Sequence, residues 1–492
     1  MSKISPKKPP FYITTTLPYV NAEPHIGFAA EELIRADIIA RAKKLQGHEV
    51  FFNTGTDEHG VKIYQNAKQQ HKEPQEFVDE VSAKFKRLVS LLGLAEHEPG
   101  ITFNFIRTTD PHHVAAAEEF WKIADKNGLI YKKNYRIKYC IGCELEKTDS
   151  ELVDGKCPLH PLMDLEIYEE ENYFFRFSVY QKALMDLYEK NPTFVIPHSR
   201  LNEIKAFVER GLEDFSISRL ATKMPWGIPV PNDPSHVMYV WFDALVSYIA
   251  AVGWPHDMKS FDKWWVASGG VVQYCGKDNL RQQSAMWQAM LMAVKLPPSK
   301  HIIVNGFVNG EGGVKMSKSL GNTVDPIEVI KEYGTDALRY YAAREFAAFE
   351  DSPFTMEKFK EAYNAHLANG LGNLASRIMK MAEANISAVK LPAYEWPADF
   401  ISNIEKYDLK SAADIIWEKI SALDQIVQKE EPFKKVKDES TKKHALEVIE
   451  KLVIGLAEVT ILLEPILPES AKVIWQCIKD NKSPKEPLFM RK

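Results

Sequence analysis

The feature that most constrains this chain is an alternation of apolar and amphipathic segments close to its N-terminus. Residues 11–16 are rich in aromatic and β-branched side chains, which predicts a strand, and residues 49–54 predict another. Between them, residues 29–45 place apolar side chains at helical spacing. A strand, a helix and a second strand in this order predict a parallel pair joined by a right-handed crossover. The chain is therefore expected to begin with an α/β fold.

Changes in composition and in the spacing of apolar residues divide the rest of the chain. Aromatic and charged residues mix between residues 131 and 226, where three cysteines also cluster, and we interpret this segment as an insertion. Apolar strand candidates resume at 236–242, 269–276 and 301–307, and from about residue 359 long amphipathic helices follow one another, as in a helical bundle. The predicted divisions are 1–130 and 227–324 for two halves of one Rossmann-type parallel-sheet domain, 131–226 for the insertion, 325–365 for a linker and 366–492 for the bundle.

Composition excludes several classes of protein. The chain has 492 residues and a net charge of −5, which argues against a generally basic nucleic-acid coat but is compatible with a local basic face. No apolar run approaches the roughly 18 residues of a membrane span, so none is expected. The N-terminus lacks the apolar segment of a signal peptide. Five cysteines do not make a disulfide scaffold in so long a chain, and a reducing, cytoplasmic compartment is expected.

The first segment that carries chemistry is LPYVNAEPHIGFAAEEL, residues 17–33, between the first predicted strand and helix. The backbone N–H groups and the dipole at a helix N-terminus attract phosphate. His25 can donate to a phosphate oxygen, and Gly27 lets a ligand approach the backbone closely. The alternative is an ordinary strand–helix turn with a surface histidine, because short motifs also match by accident.

The second such segment is NGEGGVKMSKSLGNTVDP, residues 309–326. Its flanking glycines predict a mobile loop, and the loop carries Lys315 and Lys318. Two ammonium groups on a loop that closes suit the charge that builds up on a pyrophosphate leaving group. A solvated basic loop is the alternative.

The clustered cysteines follow the pattern Cys140-x2-Cys143-x13-Cys157-x2-His160. Two knuckles at this distance can form a tetrahedral zinc site. Because four protein ligands leave no open position, we expect one structural zinc and not a catalytic one. A disulfide or a chance cluster is the alternative, which a reducing compartment disfavours.

Together, the two loops resemble the paired HIGH and KMSKS signatures of class I aminoacyl-tRNA synthetases. Residues 315–319 match the second signature completely, whereas residues 25–28 depart from the first at Phe28, where the class has His. The segments LPYVNAEPHIG, GTDEHG, YVWFDAL, YCGKD and NLASR are similar, in order and spacing, to the methionyl-tRNA synthetase family. The resemblance implies an α/β catalytic domain with a zinc-binding insertion, a stem-contact linker and an α-helical anticodon-binding bundle. The isoleucyl, valyl and leucyl enzymes carry a much larger editing insert.

The implied reaction is the activation of methionine by ATP, with Mg²⁺, followed by transfer of the methionyl group to tRNA(Met). The attacking carboxylate is already ionised at pH 7, so no general base is needed. Catalysis is then expected to rest on positioning and charge stabilisation. The implied catalytic residues are His25, Lys315 and Lys318, and the implied ATP-binding residues are His25, Gly27, Phe28, Gly276, Lys277, Asp278 and Lys318.

The resemblance also implies a methionine pocket. Asp57 would bind the ammonium group, and an aromatic lining suits a thioether. Without the resemblance, Asp57 would be a candidate helix N-cap and the apolar members would be candidate core residues. The implied methionine-binding residues are Leu17, Tyr19, Asp57, Trp241, Ala244, Leu245, Tyr248, Asn279, Gln283 and Trp287.

Further departures from the family pattern follow the GKD triplet. The family usually has an apolar residue next and Phe-His later, whereas this chain has Asn279, then Gln282 and Gln283. We therefore expect a more polar pocket than the family's, which places its selectivity in question.

In the helical bundle, Asn373 and Arg377 match the family positions that bind the anticodon. They lie one helical turn apart and can face one groove. Phe433 stands where the family usually has Trp, and it can still stack on a base. The lysines at 434–437 either contact phosphate or form a solvated run.

The expected function is methionine–tRNA ligase, which charges tRNA(Met), including initiator tRNA, for translation initiation and elongation. Because the sequence ends after the bundle, without a C-terminal dimerisation domain, a monomer is expected. Two alternatives stay open: a catalytically impaired synthetase-like tRNA-binding protein, and a related enzyme with another apolar substrate.

Overall fold

The computed structural model describes residues 8–21, 23–143, 145–147, 151–313, 316 and 323–492. Its strands are β1 (Phe11–Thr15), β2 (Val50–Thr56), β3 (Ile101–Arg107), β4 (Ile130–Cys140), β5 (Leu145–Lys147), β6 (Glu166–Phe175), β7 (Val195–Ile196), β8 (Phe215–Ser216), β9 (Ser218–Leu220), β10 (Pro229–Val230), β11 (Asp233–Met238), β12 (Val271–Gly276), β13 (His301–Asn305), β14 (Val308–Asn309) and β15 (Ser352–Pro353).

Its α-helices are α1 (Ile26–Phe28), α2 (Ile34–Leu45), α3 (Val61–Gln69), α4 (Pro74–Leu91), α5 (Pro111–Lys126), α6 (Gln181–Lys190), α7 (His198–Glu209), α8 (Val240–Ala244), α9 (Ser247–Ala250), α10 (Met258–Phe261), α11 (Trp287–Ala293), α12 (Pro326–Tyr333), α13 (Thr335–Tyr340), α14 (Met356–Ala362), α15 (Asn373–Asn385), α16 (Ala398–Glu405), α17 (Leu409–Glu430), α18 (Pro432–Lys435), α19 (Lys442–Leu463) and α20 (Pro468–Asp480). Wider π-helical turns join several of them, at Ala29–Leu33, Asp262–Val266, Gln282–Met286, Tyr341–Glu345 and Tyr363–Gly372.

The chain divides into two compact units. The first contains Met1–Pro24, Gly47–Val89 and Glu96–Val304. The second contains His25–Gln46, Ser90–Ala95 and Asn305–Lys492.

The first unit is built on a six-stranded sheet in the order β3-β2-β1-β12-β13-β7. The pairs β1–β2, β2–β3, β1–β12 and β7–β13 are parallel, which confirms the predicted parallel-sheet fold. Strands β1 and β2 are buried along their whole length, as expected of a sheet covered on both faces. The chain order reverses at β1, whose neighbours are β2 and β12, and ligands of open α/β sheets bind beyond the carboxyl ends of the strands at such a point.

The predicted insertion forms antiparallel structure. Strand β4 pairs with β6 from Ile130 opposite Phe175 to Tyr139 opposite Glu166, within the sheet β5-β4-β6-β8. A second small sheet has the order β10-β11-β9. Strand β7 also lies within residues 131–226, and it forms the edge of the parallel sheet. The segment therefore contributes to the main sheet as well as inserting into it.

The strand predicted over residues 236–242 is wrong in its second half. Strand β11 ends at Met238, and α8 starts at Val240. The backbone N–H groups of Phe242 and Asp243 donate to the carbonyl of Tyr239, which turns the chain into the helix. A short apolar run does not by itself distinguish a strand from a buried helix.

The second unit is mainly helical. Helices α15, α17 and α19 confirm the long helices predicted from the sequence, and α17 packs against α19. Buried Arg339 fixes α2 to the bundle, because its guanidinium lies 2.7 Å from Asp37 and donates to the carbonyls of Pro465 and Ile466. None of the helices in the described ranges is long and apolar enough to cross a membrane.

Candidate functional site

The loops that follow β1 and β2 are joined at the carboxyl edge of the sheet. The Asp57 N–H donates to the Pro18 carbonyl at 2.9 Å, and the Val20 N–H donates to the Asp57 carbonyl at 3.1 Å. Asp57 is buried and stands opposite Tyr19. It is not a helix cap, because α3 begins at Val61 with Gly60 as its N-cap. Asp57 therefore lies at the switch point of the sheet, and its role in binding methionine stays a prediction.

The residue after Asp57 anchors this loop. Both oxygens of the buried Glu58 carboxylate accept from the Arg107 guanidinium, at 2.7 and 2.9 Å. The Thr56 hydroxyl donates to the same carboxylate, and the Trp226 indole N–H donates to the Glu58 carbonyl. A bidentate, hydrogen-bonded pair of this kind is geometrically specific. The position of Asp57 is thus set by its immediate neighbour.

A buried His–Asp–His cluster fixes the same loop to α8. Asp243 accepts from His59 Nδ1 and from His113 Nε2, each at 2.6 Å. Burial alone would raise the pKa of Asp243, but the charge of His59 and the hydrogen bonds from both histidines lower it to about 2. Because an ionised carboxylate only accepts, each facing ring nitrogen carries a proton. The loop that bears Asp57 and the helix that bears Trp241 are therefore held together.

The structure gathers most of the predicted methionine-binding side chains into two neighbouring apolar clusters of the first unit. Leu245, Tyr248 and Trp287 are buried in one cluster, with Leu17 packed against it. The rings of Tyr248 and Trp287 lie 6.0 Å apart, edge to face. The second cluster is formed by Tyr139, Tyr239 and Val240, with Tyr19 and Trp241 packed against it. Ala244 is buried on α8, whereas Asn279 is half-buried and donates to the exposed Asp278.

The two glutamines that depart from the family pattern are both buried, on the π-helical turn Gln282–Met286. Gln283 donates to the Tyr248 hydroxyl at 2.7 Å and accepts from Gln273 at 2.7 Å. Gln282 Oε1 is buried with no hydrogen-bond partner in the described part of the chain. The Gln283 amide is therefore hydrogen-bonded at both ends, whereas the Gln282 side-chain oxygen is not satisfied by any described residue.

In the second unit, His25 caps the N-terminus of α1. The Gly27 N–H donates to His25 Nδ1 at 3.1 Å. A Cβ atom at Gly27 would lie 2.9 Å from the His25 ring, so a glycine at this position leaves room for that ring. The sequence alone did not reveal this reason for the glycine. With Nδ1 accepting, a neutral ring carries its proton on Nε2, which can donate to a phosphate oxygen. Phe28 is half-buried, and Lys315 and Lys318 lie outside the described residues.

The predicted metal ligands converge. The ligand atoms of Cys140, Cys143, Cys157 and His160 all lie within 4.8 Å of one another. The distances from Cys143 Sγ are 3.4 Å to Cys157 Sγ and 3.2 Å to His160 Nδ1, close to the ligand separations of about 3.5–3.8 Å in a tetrahedral zinc site. Gly142 makes this possible, because a Cβ there would lie 2.5 Å from the His160 ring. All cysteines are free thiols, so the disulfide alternative is not supported.

The predicted anticodon residues lie on the helical unit. Asn373 is exposed at the start of α15, and Arg377 is one turn later, with its guanidinium 2.9 Å from Asp424. Phe433, on α18, is 40% exposed, which is unusual for an aromatic side chain and leaves its ring accessible for stacking.

Sequence reasoning missed the residues that hold the pocket together. His59 and Asp243 belong to the GTDEHG and YVWFDAL segments, but only their neighbours were assigned roles. His113 and Gln273 gave no signal, because their partners lie far away along the chain. A buried carboxylate between two histidines becomes visible only in three dimensions.

Comparison with known proteins defines the class of this fold and site. The family model described as tRNA synthetases class I (M) matches residues 11–163 and 162–379, which places the chain among the class I tRNA synthetases. A methionine–tRNA ligase from Thermotoga maritima is 38% identical over 96% of this chain and 76% of the relative. Another from Thermosynechococcus vestitus is 45% identical over 76% of this chain and 69% of the relative. The chain belongs to the methionyl-tRNA synthetase family.

Solved structures agree with this assignment. The Mycobacterium tuberculosis methionyl-tRNA synthetase in complex with methionyl-adenylate has a TM-score of 0.86 and 32% identity, over 95% of this chain and 93% of that one. The same enzyme in its free state gives a TM-score of 0.80 and 28% identity, over 98% of both chains.

Proposed function

We propose that this chain activates methionine with ATP and transfers the methionyl group to tRNA. The observation that carries the proposal is a buried carboxylate, Asp57, at the switch point of the sheet, in the same unit as apolar aromatic clusters. A carboxylate binds the ammonium group that every amino acid carries. Aromatic rings around an unbranched side chain favour a thioether, with sulfur–ring contacts of about 0.3–1.5 kcal/mol.

In the first step, the methionine carboxylate attacks the α-phosphorus of ATP and the bond to pyrophosphate breaks. No side chain has to remove a proton, because the nucleophile is already ionised. We propose that His25 donates from Nε2 to a phosphate oxygen and that Lys315 and Lys318 neutralise the departing pyrophosphate. Gly276 ends β12, and Lys277 and Asp278 follow it. These three residues are proposed to bind the adenosine part of ATP, where a carboxylate can accept from ribose hydroxyls.

In the second step, a ribose hydroxyl of the tRNA attacks the methionyl carbonyl, and AMP leaves. We propose that Asn373, Arg377 and Phe433 bind the anticodon. The exposed Phe433 ring supports stacking, and Arg377 would exchange Asp424 for an acceptor on the RNA. Initiator and elongator tRNA(Met) are both proposed as substrates.

We propose that the cysteine–histidine cluster holds one zinc ion with a structural role. Three thiolates and one imidazole fill all four positions of a tetrahedral ion, so the metal would supply folding free energy and no open coordination site. Tyr139, which precedes Cys140, is buried in the cluster against which Tyr19 and Trp241 pack. Zinc loss is therefore expected to disturb the methionine pocket indirectly.

The free thiols fit a reducing compartment, so we propose a cytoplasmic enzyme. We also propose, separately, that the enzyme is a monomer. The test of the function is ATP–pyrophosphate exchange with methionine, leucine and isoleucine, followed by charging of tRNA(Met). Methionine-dependent exchange with charging is expected. Binding of tRNA without exchange would favour the impaired synthetase, and faster exchange with leucine or isoleucine would favour another apolar substrate.

A further inference from the structure

A buried arginine in α2 is bonded to two segments that are distant from it in sequence. Arg35 is 5% exposed, and its Nη1 group donates to Asn305 Oδ1 at 3.2 Å. The guanidinium also donates to three backbone carbonyls, those of Ala342, Ala347 and Ala348, at 3.3, 2.7 and 2.8 Å. Because a planar guanidinium carries its five N–H donors in a fixed arrangement, these bonds hold both segments in one geometry relative to α2.

Asn305 extends this connection to the turn of helix that precedes α2. Because its Oδ1 atom accepts from Arg35, the side-chain amide has a fixed orientation, and its Nδ2 group donates to the Glu31 carbonyl at 2.7 Å. Asn305 is 1% exposed and is the last residue of β13. Three residues later, the Val308 N–H donates to the Glu31 carboxylate. Glu31 therefore accepts from the chain after β13 through its backbone and through its side chain.

Asp351 fixes the same stretch of chain. One oxygen of its carboxylate accepts from the Phe307 N–H at 3.0 Å, and the other accepts from the Asn309 side-chain amide at 3.3 Å. Strand β14 also pairs in parallel with β15, which follows Asp351. The chain from Asn305 to Asn309 is thus bonded to two separate parts of the second unit.

The segment that follows the KMSKS signature is bonded to the same helical region. The Ile26 N–H donates to the Val324 carbonyl at 3.1 Å. Ile26 directly follows His25, which caps α1. In the sequence, the signature at residues 315–319 therefore lies between two anchored residues, Val308 and Val324, whose partners both belong to residues 26–31.

We propose that Arg35, Asn305 and Glu31 are positioning residues for adenylate formation, because they fix the segment that leads into the KMSKS signature relative to the helix that His25 caps. The inference rests on the proposed function, in which His25 and the lysines of the signature act on the phosphates of one ATP. It assigns the three residues an action through those groups and not on the substrate itself. A displacement of about 1 Å in such a constellation can cost about a hundredfold in rate.

The test separates the two chemical steps. Asn305→Ala removes the side-chain bonds to Arg35 and to the Glu31 carbonyl. Adenylate formation, measured before the steady state at saturating methionine and ATP, should slow about ten- to hundredfold. The KM values for both substrates should change about twofold or less, because the lysines are proposed to act on charge that develops in the transition state. Transfer to tRNA(Met) from methionyl-adenylate supplied to the enzyme should keep its wild-type rate, because pyrophosphate has already left.

Arg35→Lys and Arg339→Lys form a matched pair of variant and control. Both arginines are buried in the second unit and donate to backbone carbonyls, which for Arg339 are those of Pro465 and Ile466. Arg339 also binds Asp37 of α2, so its variant controls for a general loosening of that helix. Lysine keeps the charge but presents a single ammonium group, so each substitution should lower the melting temperature. Only Arg35→Lys should slow adenylate formation.

A double-mutant cycle tests whether the effect acts through the lysines. In a Lys318→Ala background, Asn305→Ala should slow adenylate formation by a smaller factor than in the wild type, because one of the groups that it positions is gone. An equal factor in both backgrounds would overturn the proposal.

An unchanged rate of adenylate formation in Asn305→Ala, or equal losses in adenylate formation and in transfer, would also overturn it. If Asn305→Ala does not fold, Glu31→Gln keeps an acceptor for the Val308 N–H without the charge and should slow adenylate formation by a smaller factor, and no change there overturns the proposal equally. Wild-type protein that forms no methionyl-adenylate would refute the proposed function and this inference with it. Active wild-type protein with unaffected variants refutes the positioning role alone.

Discussion

Replacing Asp243 with asparagine tests how the methionine pocket is held together. The carboxylate accepts from two histidine N–H groups at 2.6 Å each and is fully buried. Asparagine keeps the shape but offers one acceptor, so one histidine must either point its N–H at an NH₂ group or change tautomer to accept from it. A buried donor left unpaired costs about 1–3 kcal/mol, and breaking a buried ion pair costs about 3–5 kcal/mol. Because asparagine also removes the cost of burying a charge, we expect a loss of about 2–4 kcal/mol in unfolding free energy.

The pH dependence of this loss has a definite sign. Folding lowers the pKa of Asp243 to about 2. A carboxyl with a lowered folded pKa contributes stability above its unfolded value of about 3.9, and that contribution disappears as the pH falls towards 2. The unfolding free energies of wild type and Asp243→Asn should therefore differ most above about pH 4 and converge below it.

The assay is urea unfolding at several pH values, combined with ATP–pyrophosphate exchange. Since the loop that bears Asp57 is fixed through Asp243, the KM for methionine should rise about tenfold, equivalent to 1.4 kcal/mol, while the KM for ATP changes less. Asp233→Asn is the control, because that carboxylate also accepts several hydrogen bonds but is partly exposed. Equal unfolding free energies for wild type and Asp243→Asn, or equal losses in both variants, would refute the reasoning.

Three further predictions concern the other sites. Purified protein should contain about one zinc ion per chain, and Cys143→Ser should lose it and melt at a lower temperature; elemental analysis that finds no zinc would contradict this. Arg377→Ala and Phe433→Ala should each raise the free-energy barrier of tRNA charging by about 1–3 kcal/mol while leaving pyrophosphate exchange intact. Equal losses in both assays would show that the helical unit has been misinterpreted. Phe28→His adds a donor at the HIGH-like segment and should speed adenylate formation about ten- to 150-fold, measured before the steady state; an unchanged or lower rate would count against a catalytic role for that donor.

Local patterns made much of the fold predictable. The parallel strands β1 and β2 follow from side-chain type, and the metal cluster follows from the spacing of Cys140, Cys143, Cys157 and His160, because both signals lie within short stretches of sequence. The start of α8 was not predicted, because the contacts that fix it join residues far apart in the sequence. Asp243 is held there by His113 and His59, which are 130 and 184 positions away along the chain. Contacts at such separations leave no periodicity to recognise.

The sequence also could not predict how the departures from the family pattern affect the site. In the sequence, Gln282 and Gln283 both indicate a more polar pocket, and with Phe28 they favoured the hypothesis of an impaired enzyme. The structure separates them. The Gln283 amide is bonded at both ends, so its polarity is satisfied by Gln273 and Tyr248 and is compatible with an apolar substrate. Gln282 Oε1 is buried without a partner among the described residues, at a cost of about 1–3 kcal/mol. Of the two glutamines, only Gln282 therefore still argues for impairment, together with the missing donor at Phe28.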